Sequence, residues 1–459
     1  MVRILPEARM NDSIFVQTPA QLEKIAQDAL RFAKERGATS ASVSVSDGNG
    51  LSVSVRKGRI DTIERNQDKA VGVTVYFGKR QGHASSADFS DSALRATVEA
   101  ACSIASFTAE DESAGLPDLD MTEMNPRDME LYYPWTISTE EAIEIAMRCE
   151  EAAFSVDRRI RNSEGATVSI QHSHFILANS QGFLGGYPYT RHSVSVIPIA
   201  GKGANMQRDY WYTASRDPLR LASPEAVGQY AGERTLARLN ARRLGTQRCP
   251  VLFEAPLAVG LLGTFVSAVS GGALYRKASF LVDSLDAKVF PAHISLLEDP
   301  HIAGAAGSAP FDDEGVKTER REVISGGVVR GYFLSTYTSR RLGMKTTGNA
   351  GGSHNLFFTS KRTKKRDDLA AMVKKLDRGL LVTDMLGHGI NYVTGDYSRG
   401  AFGFWVENGV IQYPVHEITI AGNLKEMYAQ IAAVGADVHN RGGRESGSIL
   451  IESMKVAGN

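Results

Sequence analysis

The chain has 459 residues, more than one hydrophobic core ordinarily serves, so two or more domains are expected. Apolar residues at 42% and charged residues at 23% are ordinary globular values, which excludes a disordered or fibrous chain. Lysine plus arginine equal aspartate plus glutamate at 52 each, so no net field favours nucleic acid or an anionic membrane as a partner.

At the N-terminus the apolar run is broken by Pro6 and Glu7, too early for the hydrophobic core of an export signal. Cys102, Cys149 and Cys249 are odd in number and form no CxxC pair, which fits a reducing compartment, and a cytoplasmic protein is expected. The first helix opens at Thr18, with Pro19 in its first turn and Gln21 completing a capping box ahead of Leu22, Ile25, Ala26 and Leu30; Gly37 ends it. Period-two alternation follows at residues 41–45, 51–55 and 71–75, with turns expected at residues 48–50 and at Lys57-Gly58. This is a helix laid on an antiparallel meander.

A second helix is expected over residues 91–106, then an exposed acidic connection over residues 110–126. Ser138 with Glu141 opens a further helix through Ala142, Ile145, Ala146 and Cys149. Residues 166–177 and 193–199 read as a long hairpin turning at residues 179–182, and residues 224–239 as a helix. We place the domain boundary near Arg242, Arg243 and Gly245. That gives an N-terminal α+β domain over residues 1–240, with a central subregion from about residue 120, and a β-rich C-terminal domain over residues 241–459. The second half carries hairpin turns at residues 325–327, 349–352 and 407–409, with helices expected at residues 367–376 and 424–434. Helices and strands do not alternate regularly, so the class is α+β rather than a doubly wound sheet.

Residues 255–275 carry no charge and approach the length of a membrane span, but Pro256, Gly260, Gly263, Gly271 and Gly272 interrupt them and no membrane helix is expected. The common nucleotide, hydrolase-elbow and zincin motifs are absent. His172 and His174 would share one face of a strand as a possible metal pair, yet no third ligand stands at a suitable spacing. Asp312-Asp-Glu-Gly315 describes either a hard-cation site or an ordinary tight turn, with the turn favoured. His388 between Gly387 and Gly389 makes no site alone, and the basic run at residues 361–366 reads as a solvated loop. Residues 346–352, including Thr347, Gly348, Asn349, Gly351 and Gly352, offer backbone N–H groups that could receive an anion or a peptide carbonyl.

Several segments together resemble the TldD/PmbA family, formerly called modulators of DNA gyrase. They are Phe311-Asp-Asp-Glu-Gly-Val316, Gly331-Tyr-Phe-Leu-Ser-Thr-Tyr337, residues 346–352, Gly395-Asp-Tyr-Ser-Arg-Gly-Ala401 and Glu417-Ile-Thr-Ile-Ala-Gly-Asn423. The last two are similar to the PmbA branch in particular. In the TldD branch an HExxxH motif and a C-terminal cysteine bind zinc. The resemblance aligns Val266 and Gly271 with the histidines and Ser267 with the glutamate, and residues 442–448 contain no cysteine. It therefore implies a chain that binds no metal or other cofactor itself, with zinc in a TldD-type partner. It further implies a heterodimer acting on unfolded or modified peptides, held by strand addition and by the glycine-rich loop, and a homodimer when the chain is alone. Two readings compete: a metallopeptidase active alone through His172, His174, His388 or the Asp312 cluster, and a regulatory binding protein without proteolysis.

Overall fold

The computed structural model describes residues 14–439 and 442–458; the apolar run around Pro6 and Glu7 lies outside them. Its class is α+β. The first half contains α1 (Pro19–Glu35), β1 (Ser40–Arg56), β2 (Arg59–Phe77), β3 (Arg80–Ser86), α2 (Asp91–Phe107), α3 (Thr139–Ser155), β4 (Ile160–Asn179), β5 (Leu184–Ala200), β6 (Gln207–Arg208), β7 (Trp211–Ser215) and α4 (Pro224–Ala237). Its strands form one antiparallel sheet in the order β3-β2-β1-β4-β5-β6, with β7 also paired to β5.

Alternation along these long strands puts every second residue on one face, and the helices cover that face. Helices α1 and α2 pack on Val43, Val45, Val71, Val73, Val75 and Ile176, while α3 and α4 pack on Val53, Val55, Val168, Ile170, Val194 and Val196. The Thr18–Gln21 and Ser138–Glu141 capping boxes form as the spacing predicts. Helices α3 and α4 meet backbone to backbone: a Cβ on Gly228 would lie 2.1 Å from the Cys149 carbonyl oxygen.

No turn forms at residues 48–50. β1 runs through, with Gly48 opposite Asp68 and Ser173 and Gly50 opposite Asn66 and Gln171. Gly50 is needed for space rather than for a turn, because a Cβ there would meet the Asn66 side chain. The expected exposed connection at residues 110–126 is instead a strap across the second half. Arg340 donates to the carbonyls of Ser113, Gly115 and Leu116, Glu123 N donates to Gly315 O, and Lys317 N donates to Met121 O. Its acidic residues misled because its apolar ones, Ala114 and Leu116, are buried beside Tyr76.

The second half contains β8 (Gln247–Phe253), α5 (Ala255–Ala268), α6 (Gly271–Tyr275), β9 (Ile294–Asp299), β10 (Arg321–Ser325), β11 (Val328–Val329), α7 (Thr336–Arg341), β12 (Asn355–Ser360), α8 (Leu369–Leu376), β13 (Gly379–Leu386), β14 (Asp396–Glu407), β15 (Val410–Asn423), α9 (Leu424–Ala429), β16 (Ile431–Val434), β17 (Arg444–Ser446) and β18 (Ile449–Ala457). One sheet runs β11-β10-β9-β12-β17; the other runs β15-β14-β13-β8-β18-β16 and closes on itself because β15 also pairs β18. The helix expected to reach residue 434 stops at Ala429. Ile431 and Val434 pair with Ile451 and Ile449 instead, where β-branched side chains complete the buried core. Likewise α8 starts at Leu369 under an Asp368 cap, since the Asp367 carboxylate is taken by Lys364 N and Lys375.

Among the described residues no helix is long and apolar enough to cross a membrane. The uncharged segment at residues 255–275 is α5 and α6, broken at Val269 and Ser270 and packed into the second-half core.

Candidate functional site

Helix α5 is apolar nearly all round, with Ala258, Leu261, Leu262, Phe265, Val266 and Ala268 buried. Ser267 faces outward from it. Gly271 opens α6, and its N–H donates to Phe333 O at 2.9 Å while Phe333 N donates to Val269 O, so the interrupted helix is tied to the chain ahead of α7. A Cβ at Gly271 would lie 2.3 Å from Thr338 Oγ1, so no side chain fits there without movement. On the other side lies β17. The Arg444 guanidinium stands 2.9 Å from where a Cβ on Gly263 would be, one turn before Ser267. Helix α5 and β17, far apart in sequence, are thus neighbours in the fold.

A zinc ion does not fit this donor set. Val266 has no donor atom, Gly271 has no side chain, Ser267 offers a neutral hydroxyl, and Arg444 beside the helix is a cation rather than a ligand. Among the described residues no group of three or more His, Cys, Asp or Glu side chains is arranged to hold a metal ion.

The glycine-rich loop is built on residues that sequence reasoning missed. Glu298 on β9 is 1% exposed. Its carboxylate accepts from Arg321 Nε at 2.8 Å, Asn349 Nδ2 at 2.8 Å and His354 N at 2.9 Å, and lies 3.1 Å from His354 Nδ1. Burial alone would raise the Glu298 carboxyl, but the His354 hydrogen bond and the Arg321 charge outweigh it and hold it down at about 2. Only the β-strand pattern around Glu298 marked it, as an acidic residue on a face that otherwise buries Ile294 and Leu296. The loop's own donors are largely used internally: Thr347 N and Asn349 N donate to Leu334 O, Ala350 N to Asp312 Oδ2, and Gly352 N to Asn349 O. What remains exposed is Gly351 and Gly352, both at positive φ. A Cβ on Gly351 would collide with the Asp313 carboxylate at 2.3 Å, so valine there strains the fold as well as any binding surface.

Asp312 anchors the tight turn that the sequence favoured. One of its oxygens accepts from Glu314 N and Val316 N and the other from Ala350 N, each at 2.9 Å. Burial, with the Glu314 charge adding, raises its carboxyl to about 7. Its side chain is closed off from solvent, so the turn holds the loop rather than presenting a cation site. His388 lies in an exposed loop.

His172 and His174 are buried on the helix-covered face of the first sheet, in the seam between its two apolar clusters. His192 of β5 packs 5.5 Å from His172, ring to ring. An extended segment crosses them: Trp135 N donates to His172 Nε2 at 3.2 Å, and His192 Nε2 donates to Tyr133 O at 2.9 Å. Their visible work is to seat this segment. Burial, with the His192 charge adding, takes His172 from 6.5 down to about 4, and burial takes His174 to about 4. Both are therefore neutral in the fold, and the unfolded chain takes up protons first. Their contribution is intact above about 6.5 and is lost as pH falls through 4, by up to about 1.4 kcal/mol per pH unit for each imidazole. Urea denaturation at pH 7, 6 and 5 is expected to show this decline, and His172→Gln should flatten it; a pH-independent midpoint would contradict it.

Comparison with known proteins gives a three-part match along the chain. Residues 41–105, 132–239 and 246–458 match the family models described as PmbA/TldA metallopeptidase domain 1, central domain and C-terminal domain. The chain is 44% identical over 437 residues to a protein of Escherichia coli O157:H7 named metalloprotease PmbA, covering 95% of this chain and 96% of that one. It is 43% identical over 439 residues to a metalloprotease PmbA homolog of Haemophilus influenzae, covering 96% of each. A crystal structure from Bacteroides thetaiotaomicron, described as a modulator of DNA gyrase, superposes with a TM-score of 0.90 at 27% identity, over 96% of this chain and all of that one.

Proposed function

The chain belongs to the PmbA/TldD metallopeptidase family, on its PmbA branch, and from that premise we propose that it is a non-catalytic subunit of a peptide-degrading or peptide-processing assembly. The observation that supports the reading is the residue chemistry: Val266, Ser267 and Gly271, which the resemblance aligns with the zinc histidines and glutamate, supply no imidazole or carboxylate, and residues 442–448 contain no cysteine. The partner is a homologue that carries HExxxH and holds the zinc. This chain supplies a wall and a peptide-binding surface, in the cytoplasm. The exposed Gly351 and Gly352 offer backbone that another backbone can approach closely. Edge strands such as β17, beside α5, suit the extended backbones of unfolded or modified peptides, which pair by main-chain hydrogen bonds largely regardless of sequence.

The second reading, a peptidase active by itself, is favoured by the name metalloprotease that these relatives carry. Elemental analysis separates the two. Purified alone after chelation and dialysis, the chain is expected to hold less than about a tenth of a zinc per molecule and to cleave no unfolded peptide, since a stable site takes three or four ligands. Adding an HExxxH homologue should restore both zinc and cleavage. One zinc per chain, with cleavage lost on replacing His172 and His174, would install the stand-alone enzyme instead.

A further inference from the structure

Alternation along β5 sends Thr190, His192 and Val194 to the face that the helices cover, and Tyr187 and Tyr189 to the opposite face. There Tyr187 pairs with Phe175 of β4, ring to ring at 4.7 Å, and packs 5.7 Å from Phe311 of the second half. Two residues beyond Phe311 stands Asp313. Its N–H donates to Ala350 O, and its carboxylate lies against Gly351. A tyrosine of the first sheet, the Asp312–Gly315 turn and the glycine-rich loop thus meet at one place.

Three polar groups here have atoms without a hydrogen-bond partner among the described residues. The Asp313 carboxylate accepts no hydrogen bond and joins no ion pair, and the Tyr187 hydroxyl neither donates nor accepts. His354 is the third. Its Nδ1 lies 3.1 Å from Glu298, whose ionised carboxylate can only accept, so Nδ1 carries a proton and Nε2 of the neutral imidazole keeps a lone pair with nothing to receive. The three groups feel one another. Burial raises the Asp313 carboxyl and the His354 imidazole opposes that rise; burial raises the Tyr187 hydroxyl, with Arg216 opposing and Asp313 adding. A carboxylate partly withdrawn from water with no cation to face is costly, and such a group marks a place where a cation arrives.

The cations nearby are already engaged. Arg321 is held by Glu298, and Arg216, 5.7 Å over the Tyr189 ring, donates to the carbonyls of Thr190, Ala305 and Ala306. A metal ion does not suit the place, since among the described residues no three ligating side chains are arranged for one. A primary ammonium does. Its three N–H groups can be shared among a carboxylate, an imidazole nitrogen and a phenolic oxygen, and the face of a tyrosine ring attracts a cation as well. Asp312, one residue earlier, cannot serve, because its oxygens already take Glu314 N, Val316 N and Ala350 N. We infer that Asp313, with His354 and Tyr187 beside it, receives a primary ammonium group of a peptide, either the N-terminal amine or a lysine side chain. The inference rests on the reading that Gly351 and Gly352 face a peptide, and it adds a charged anchor to a surface that otherwise offers backbone alone.

Fluorescence anisotropy of the full chain with short glycine–serine peptides, labelled at the C-terminus, tests it. The first peptide has a free N-terminus and no lysine, the second is N-acetylated without lysine, and the third is N-acetylated with one central lysine. A peptide bearing an amine is expected to bind roughly tenfold tighter than the second, as a charge-assisted contact should. Preference for the first assigns the N-terminal amine, and preference for the third assigns the lysine. Asp313→Asn keeps the shape without the charge and should shrink the preference to about twofold or less. Its melting temperature should stay unchanged, because no hydrogen bond or ion pair of the fold uses the carboxylate. The comparison of peptides on the wild type decides independently of how any variant folds. Equal binding of all three peptides, or a preference that survives in Asp313→Asn, would overturn the site and leave the peptide surface standing. Binding of none of them would overturn the surface reading and this site with it.

Discussion

Replacing Glu298 by alanine is expected to destabilise the protein by roughly 3–5 kcal/mol, the usual cost of removing one partner from a buried ionic cluster. The carboxylate is the meeting point of Arg321, Asn349 and His354. Its removal leaves the Arg321 guanidinium, which also donates to Asn349 Oδ1 at 3.0 Å, with no anion to face. Asn349 would then lose one of the bonds that fix residues 346–352, so hydrogen exchange at Ala350 and Gly352 should accelerate beyond what the global loss explains. Glu298→Gln keeps the shape and one acceptor and should cost less than the alanine. The charge itself has a pH signature. Because the folded carboxyl is held at about 2 against an ordinary 4.5, its contribution is complete above about 4.5 and is lost as pH falls through 2. Chemical denaturation of the two variants at pH 7 checks the size and order of the effects. An alanine variant within about 1 kcal/mol of wild type would show that the cluster relaxes, and would remove Glu298 as the support of the loop.

The second large effect is expected at Arg234 on α4. Its guanidinium lies 2.7 Å from Glu254, which caps α5, and 3.3 Å from Asp209, and it donates to Thr383 O on β13 at 3.2 Å. The same group stacks 5.0 Å over the Trp211 ring. Burial disfavours its charge, but the charges of Glu254 and Asp209 outweigh that and raise its affinity for the proton. Arg238 also approaches Asp209, at 3.4 Å, and lies 3.0 Å from Asp384. Arg234→Ala removes the cation that Glu254 and Asp209 share, at an expected cost of roughly 3–5 kcal/mol. Since the network joins α4 to β13 and α5, calorimetry should show the single unfolding transition broaden or divide, and proteolysis should open residues 240–246. Arg234→Lys should rescue only in part, because an ammonium cannot reach three acceptors in one plane. An unchanged melting profile would show that these charges contribute little to joining the two halves.

Much of the first half was readable because its signals are local. Thr18 with Gln21 and Ser138 with Glu141 mark helix starts within four residues, and alternating valines mark the core face of β1 and β2. Gly48 and Gly50 misled for a physical reason: glycine signals a turn only where the backbone needs it, and both lie within β1, where a Cβ on Gly50 would meet the Asn66 side chain. The strap at residues 110–126 could not be read, because its acidic composition hides carbonyls that serve Arg340 more than two hundred residues later. The same distance hid the candidate site. Val266, Ser267 and Gly271 were found through resemblance, but nothing near Arg444 announced that it would lie against Gly263, and nothing near Asn349 named Glu298 as its acceptor. Tertiary partners of this kind have no spacing rule. The turn at Asp312 was legible, whereas its second use, receiving Ala350 N, was not.

The closing of the second sheet through β18 also has a meaning for how the chain is made. β18 lies between β8 and β15 and carries β16 on its far stretch, so it is the stave on which that closed wall depends. β8 is translated some two hundred residues earlier. Until β18 leaves the ribosome, β8 has β13 on one side and an open edge on the other, with Val251 and Phe253 awaiting their cover. The first half, whose strands find their partners within itself, can settle during synthesis, while the second half must wait in a sticky, unclosed form. Chaperone demand and losses to premature stop codons should therefore concentrate in the interval between the synthesis of β8 and that of β18.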